Sequence, residues 1–265
     1  MSRKAFLSII ITSFLLCSCT ENHVDKIEPV IDTSRLIIIT IDDNNNVHTL
    51  NVSKNNLKHI CDQLNNHTFT PYNVILYILT LDVYEDSIKN ILKELKKNNF
   101  KLYNIGCYNP RKVTNKKSIS LHAYASAIDI NTKQNPYIDV YKNIIIPAPD
   151  KNQVLTNKDG YLNRNKVRPG MITEKEAQIF YKNGFTQWGG STIWRGCPDY
   201  MHFQVSLAIA KIVTTLPKEE AKIFWSKYLQ NPQKIILDPF FNQDINEKEI
   251  KLKPLLKRID NILKK

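Results

Sequence analysis

His122 stands seven residues ahead of Asp129 in Ser120-Leu121-His122-Ala123-Tyr124-Ala125-Ser126-Ala127-Ile128-Asp129, and a second imidazole, His202, follows three residues after Asp199 in Asp199-Tyr200-Met201-His202-Phe203. Two imidazoles and one carboxylate form a donor set that zinc accepts with a fourth position left for water, and the spare carboxylate has the chemistry of a general base. A lone strand-edge histidine ordinarily serves packing, and a lone strand-end aspartate ordinarily turns the backbone. It is the two segments together that point to a zinc hydrolase.

Each segment has to be delivered by a strand. Alternation over 127–131 puts Ala127, Asp129 and Asn131 on one face and Ile128 and Ile130 on the other. The same alternation sends Met201, Phe203 and Val205 inward and leaves His202 and Gln204 opposite. Each strand thus offers one potential ligand over an apolar floor, with Asn131, Tyr124 and Gln204 near enough in sequence to orient the ligands.

The rest of the chain supplies the frame. Leu36 to Ile41 is a β-branched run ending at Asp42-Asp43-Asn44-Asn45-Asn46, and Val47 to Val52 alternates, so a hairpin is expected. Ser53 can cap a helix carrying Leu57, Ile60, Cys61 and Leu64. A strand over 74–81, an amphipathic helix over 85–97 and a strand over 102–107 follow. Beyond Val205 the chain is expected to be helical through Lys211. A packing face of Ala221, Phe224, Trp225 and Tyr228 then lies on a helix over 218–229, and the basic amphipathic tail 248–265 has Pro254 in its first helical turn. That tail is expected to dock onto its own domain. His23, His48, His59 and His67 have no carboxylate or thiol partners at ligand spacing and read as ordinary surface or half-buried histidines.

With 265 residues and 42% hydrophobic content, the chain can build one main core with an appendage. Its net charge of +12 reflects Lys, Asn and Ile spread throughout, with no dense basic run interleaved with aromatics, which argues against nucleic acid. Arg3 and Lys4 precede an apolar run from Phe6 to Cys17, too short for the roughly 20 residues of a membrane span. That run ends in Leu16-Cys17-Ser18-Cys19, which resembles a bacterial lipobox with Cys19 as the lipidated anchor; removing the leader with Arg3 and Lys4 brings the charge to +10. An exported, envelope-facing lipoprotein is expected. Cys61, Cys107 and Cys197 would then meet an oxidising compartment, where a Cys107–Cys197 disulfide and three buried free thiols are both open.

The stretch 120–131, followed by Asn135-Pro136-Tyr137, resembles the Ser-x-His-x-x-Gly-x-Ala-x-Asp signature of the M15 peptidases, the zinc D-alanyl-D-alanine carboxypeptidase and L,D-endopeptidase family. Arg168-Pro169-Gly170-Met171-Ile172, Gly184 to Gly190 with Trp194, and 199–203 continue it in order, over roughly residues 73–206. The resemblance implies an α+β fold with a small, mostly antiparallel sheet flanked by helices, of the Hedgehog/DD-peptidase type. It implies zinc on His122, Asp129 and His202, Asp199 as general base, Arg111 engaging a substrate carbonyl or carboxylate, and peptidoglycan stem peptides as substrate. Ala125 stands where the family has Gly, and Gly189-Gly190-Ser191-Thr192-Ile193-Trp194 replaces a tighter Gly-Gly-Asp-Trp. These departures motivate two alternatives: a binding lipoprotein that keeps the fold without turnover, and a structural envelope protein contacting a partner through 34–66. The expected organisation is a leader with its anchor at 1–19, a tether at 20–33, a small extension at 34–72, the peptidase core at 73–206 and a helical region at 207–265.

Overall fold

The computed structural model describes residues 27–265 apart from 43, 45, 52, 54, 55, 57, 58, 61, 64–73, 114, 115, 143 and 147–166. The leader, Cys19, most of the helix expected after Ser53, and Cys61 lie outside the described residues.

The fold is α+β, as the sequence implied. Strand β1 (Leu36–Asp42) is the centre of a three-stranded antiparallel sheet, between β2 (Val47–Asn51) and β3 (Val74–Leu81). All seven residues of β1 are buried, which is why it reads as a continuous apolar run instead of alternating. At the β1–β2 turn, Asp42 accepts hydrogen bonds from the backbone of Asn44 and Asn46, and its Oδ2 lies 3.0 Å from His48 Nε2. His48 therefore has a carboxylate partner that sequence spacing did not disclose, because the hairpin folds it back across the strand.

Helix α1 (Glu85–Lys97) spans the range its apolar periodicity predicts and buries Ile88, Ile91, Leu92 and Leu95. The next strand, β4 (Ile105–Gly106), is much shorter than expected. Its first half is held as loop by Asn131, whose Oδ1 accepts from the N–H groups of Tyr103 and Asn104 while Nδ2 donates to Lys101 O and Gly170 O. Asn131 leaves β5 (Ala127–Ile130) in the left-handed region, at φ 49°. It braces two loops and does not orient a ligand, contrary to expectation.

β4 begins the second sheet, whose strands run β4-β5-β9-β6-β7, with β8 also on β9: β6 is Tyr137–Asp139, β7 Ile144–Ile146, β8 Gln187–Gly189 and β9 Asp199–Gln204. Helix α2 (Glu174–Lys182) packs Phe180 flat on Phe203 of β9, with ring centroids 3.8 Å apart. Helices α3 (Leu207–Thr215), α4 (Lys218–Tyr228), α5 (Pro232–Ile235) and α6 (Leu252–Lys264) complete the body. The packing face on α4 is buried as expected, and α6 docks onto the domain through Leu255 and Ile259. Buried Arg35, just ahead of β1, donates to the carbonyls of Val213 and Leu216 at the end of α3 and pairs with Asp82, binding the first sheet to the C-terminal helices. No helix among the described residues is long and apolar enough to cross a membrane.

Candidate metal and catalytic site

β5 and β9 pair antiparallel with Asp129 directly opposite His202, so the register alone sets carboxylate beside imidazole. His122 arrives from a 3-10 turn, Leu121–Tyr124, which Ser120 caps by accepting from His122 N–H. The turn ends because Ala125 is left-handed, at φ 50° and ψ 31°, and fully buried. That conformation costs an L-residue on the order of 1–2 kcal/mol, and it turns the chain from His122 into β5. Ala125→Gly is therefore expected to stabilise the protein by up to about 1 kcal/mol, net of the entropy glycine adds to the unfolded chain, raising the melting temperature by about 2–4 °C in a calorimetric scan.

The ligand atoms of His122, Asp129 and His202 lie within 4.8 Å of one another. Asp129 Oδ2 is 3.2 Å from His122 Nε2, and its Oδ1 is 2.9 Å from His202 Nδ1. The far side of each imidazole is taken. His122 Nδ1–H donates to Cys107 O at 2.6 Å. His202 Nε2 faces Gln204 Oε1 at 2.8 Å, and the Gln204 amide donates to Gln187 Oε1. Gln204 thus presents an acceptor, so His202 Nε2 carries a proton and Nδ1 is left for the site. These contacts fix both tautomers, the usual support of a metal-binding histidine.

A ring nitrogen from each imidazole thus faces one carboxylate, an arrangement that favours a cation among them. Burial alone would lower the pKa of His202, but Asp129 overrides it and raises the imidazole to about 9. Burial would likewise raise Asp129, yet His122 and His202 hold it well below the usual carboxylate range. In the metal-free protein the raised pKa favours a proton on His202 in that place. His122 Nε2 is buried and makes no hydrogen bond, its contact with Asp129 being poorly aligned for one. A soft-to-borderline divalent ion with two nitrogen donors, one oxygen donor and an open fourth position fits this set.

Asp199 sits three residues before His202, a separation that would face it away in a regular strand. The register between β8 and β9 shifts here: Trp188 pairs with Phe203 but Gly189 pairs with Asp199. Gly189 is required at that junction, because a Cβ on it would stand 2.2 Å from Asp199 O. Burial raises the pKa of Asp199, His202 lowers it, Asp129 raises it and Arg111 lowers it, for a result of about 7. Its Oδ1 is buried without a hydrogen bond. The segment 107–111 is tied to the His122 turn by Cys107 O to the imidazole, Asn109 N–H to His122 O and Ser120 N–H to Arg111 O, while the Arg111 guanidinium donates to Lys112 O at 3.4 Å.

The structure therefore brings together His122, Asp129 and His202, with Asp199 and Arg111 in electrostatic contact. Of the residues expected to orient the ligands, Gln204 does so. Tyr124 instead is buried toward Lys211, Asp244 and Glu247. The Gly189–Trp194 loop, despite its altered sequence, carries the Trp194 ring to 5.8 Å from His202. Sequence reasoning missed the Cys107 carbonyl, since a backbone acceptor leaves no residue-type signal. Cys107 and Cys197 are free thiols, so the disulfide is not formed. Cys107 Sγ points instead at Thr80 Oγ1 and donates to Ala125 O, with burial pushing its pKa up to about 12.

Removing the Gln204 acceptor, as in Gln204→Leu, is expected to weaken metal binding by about 10–100-fold in a calorimetric titration, leaving the three ligands intact.

A three-residue group able to hold a metal ion, on an α+β frame, is what this geometry defines. Residues 114–205 match the model of a peptidase M15 family described as D-alanyl-D-alanine carboxypeptidase, and the matched segment contains His122, Asp129, Asp199 and His202. No curated protein and no solved structure matches the chain.

Proposed function

We propose that the chain is a zinc peptidase that hydrolyses an amide bond in peptidoglycan stem peptides, as a D,D-carboxypeptidase or an L,D-endopeptidase, and is held at the cell envelope by a lipid on Cys19. The observation that carries the reading is the convergence of two tautomer-fixed imidazoles on Asp129, next to a buried carboxylate poised near neutrality. The family match supports the reaction class and a peptidoglycan-related substrate.

His122 Nε2, Asp129 and His202 Nδ1 would hold zinc, which when bound supplies Lewis-acid polarisation of water and of the scissile carbonyl. Asp199 accepts the proton of the attacking water at its carboxylate and returns it to the leaving amine nitrogen. Its pKa near 7 leaves it able to do both at neutral pH. The Arg111 guanidinium, always charged, pairs with the carbonyl oxygen as negative charge develops, or with a terminal carboxylate of the peptide. Trp194 supplies apolar surface beside His202.

Zinc must displace the His202 proton. Uptake by metal-stripped protein is therefore expected to be one per chain, with release of about one proton at pH 7 and an affinity that climbs with pH until about 9. Titration calorimetry in buffers of differing ionisation enthalpy measures that release, and the absence of stoichiometric zinc sinks the reading. The same shift sets the stability of the metal-free protein. The His202 pKa is raised from 6.5, so its contribution is full below about 6.5 and is lost as pH rises through about 9.

A further inference from the structure

β6 meets β9 at one pair, Tyr137 opposite Asp199. The pairing is pinned on either side by Ile138 N–H to Pro198 O at 2.8 Å and Tyr200 N–H to Pro136 O at 3.3 Å. Directly opposed residues of an antiparallel ladder send their side chains to the same face, with Cβ atoms roughly 4.5–5.5 Å apart. The Tyr137 ring therefore shares the face of Asp199. It is half-buried, neither packed into the core nor free in solvent.

Its hydroxyl contacts the free thiol of Cys197, two residues before Asp199. Burial first, then the Cys197 contact and the negative charges of Asp139 and Asp199, push the phenol well above its usual range, which favours the protonated O–H. A thiol is a weak acceptor, and a carbonyl or carboxylate oxygen arriving beside it takes over the phenol's hydrogen at little cost.

We propose that Tyr137 is a substrate-binding residue, its hydroxyl donating to an acceptor oxygen of the peptide next to the scissile amide while Cys197 holds the ring in place. Arg111 and Tyr137 both lie within electrostatic reach of Asp199, one bringing a charge and the other a neutral donor. A site built this way discriminates against peptides whose acceptor is missing or displaced, because the phenol would lose its exchange partner. The inference rests on the peptidase reading and assigns a further part of the same site.

The test is calorimetric binding of a purified muropeptide to zinc-loaded Asp199→Asn protein, in which turnover is strongly slowed, against the same protein carrying Tyr137→Phe. The Phe variant is expected to bind about five- to tenfold more weakly, the effect of one hydrogen bond, with zinc stoichiometry and melting temperature unchanged. Cys197→Ser keeps a hydroxyl partner for the ring and is expected to bind within twofold of its parent, and Cys197→Ala to fall between the two. Equal affinity with Tyr137→Phe overturns the assignment and leaves the peptidase reading standing, as does an affinity loss accompanied by lost zinc. No muropeptide binding by the zinc-loaded parent removes both.

Discussion

Asp129→Asn is expected to abolish stoichiometric zinc uptake while the protein remains folded. The change is isosteric, so packing between β5 and β9 is kept, but the charge that both imidazoles share is gone. The loss should exceed the roughly 10–100-fold that removal of a supporting residue costs, since a ligand atom itself is replaced. The titration of His202 gives a second readout. With Asp129 neutral, burial is left as the leading influence, and the imidazole is expected to drop from about 9 toward or below its ordinary 6.5, visible by NMR. Full zinc binding by Asp129→Asn, or an unmoved His202, would show that the carboxylate is not the centre of the site.

Asp199→Asn should separate chemistry from metal binding. Zinc stoichiometry is expected to be retained, because Asp199 is outside the ligand cluster, while kcat falls by about 10²–10⁴-fold, the usual contribution of a positioned proton-transfer group. The pH profile gives the sign. A base must be ionised, so the wild-type rate rises with pH on an acid limb set by Asp199. That limb lies at or below about 7, because a bound divalent cation lowers a neighbouring carboxylate further. Asp199→Asn should lose the limb along with the rate.

Much of this site was legible in the sequence because its parts are encoded locally. Strand alternation over 127–130 and 201–204 assigns Asp129 and His202 to site-facing positions, and the observed register sets them opposite each other. The α1 boundaries followed from its apolar period, and the structure adds an acidic first turn and a basic last turn at the ends so placed. What failed depended on backbone geometry or on long-range closure. Asn131 is polar and adjacent to the ligand strand, yet its left-handed conformation swings it out to brace 101–104 and Gly170, which also explains the shortened β4. Tyr124 lies on the same short turn as His122 but points toward α3. The Asp199 position rests on a strand irregularity that alternation cannot anticipate, and the Cys107 carbonyl is invisible to any reading by residue type. Ala125 shows the reverse case: the departure from the family glycine falls where the backbone is left-handed, and the buried fold around it tolerates the strain.

The most direct measurement is mass spectrometry of muropeptides incubated with zinc-loaded wild-type protein, alongside metal-stripped protein and Asp199→Asn. Loss of a stem-peptide fragment with zinc-loaded wild type alone is the predicted result, and the mass lost names the bond that is cut. Unchanged stems in the presence of bound zinc would contradict the account and leave a metal-holding protein that binds the wall without cutting it.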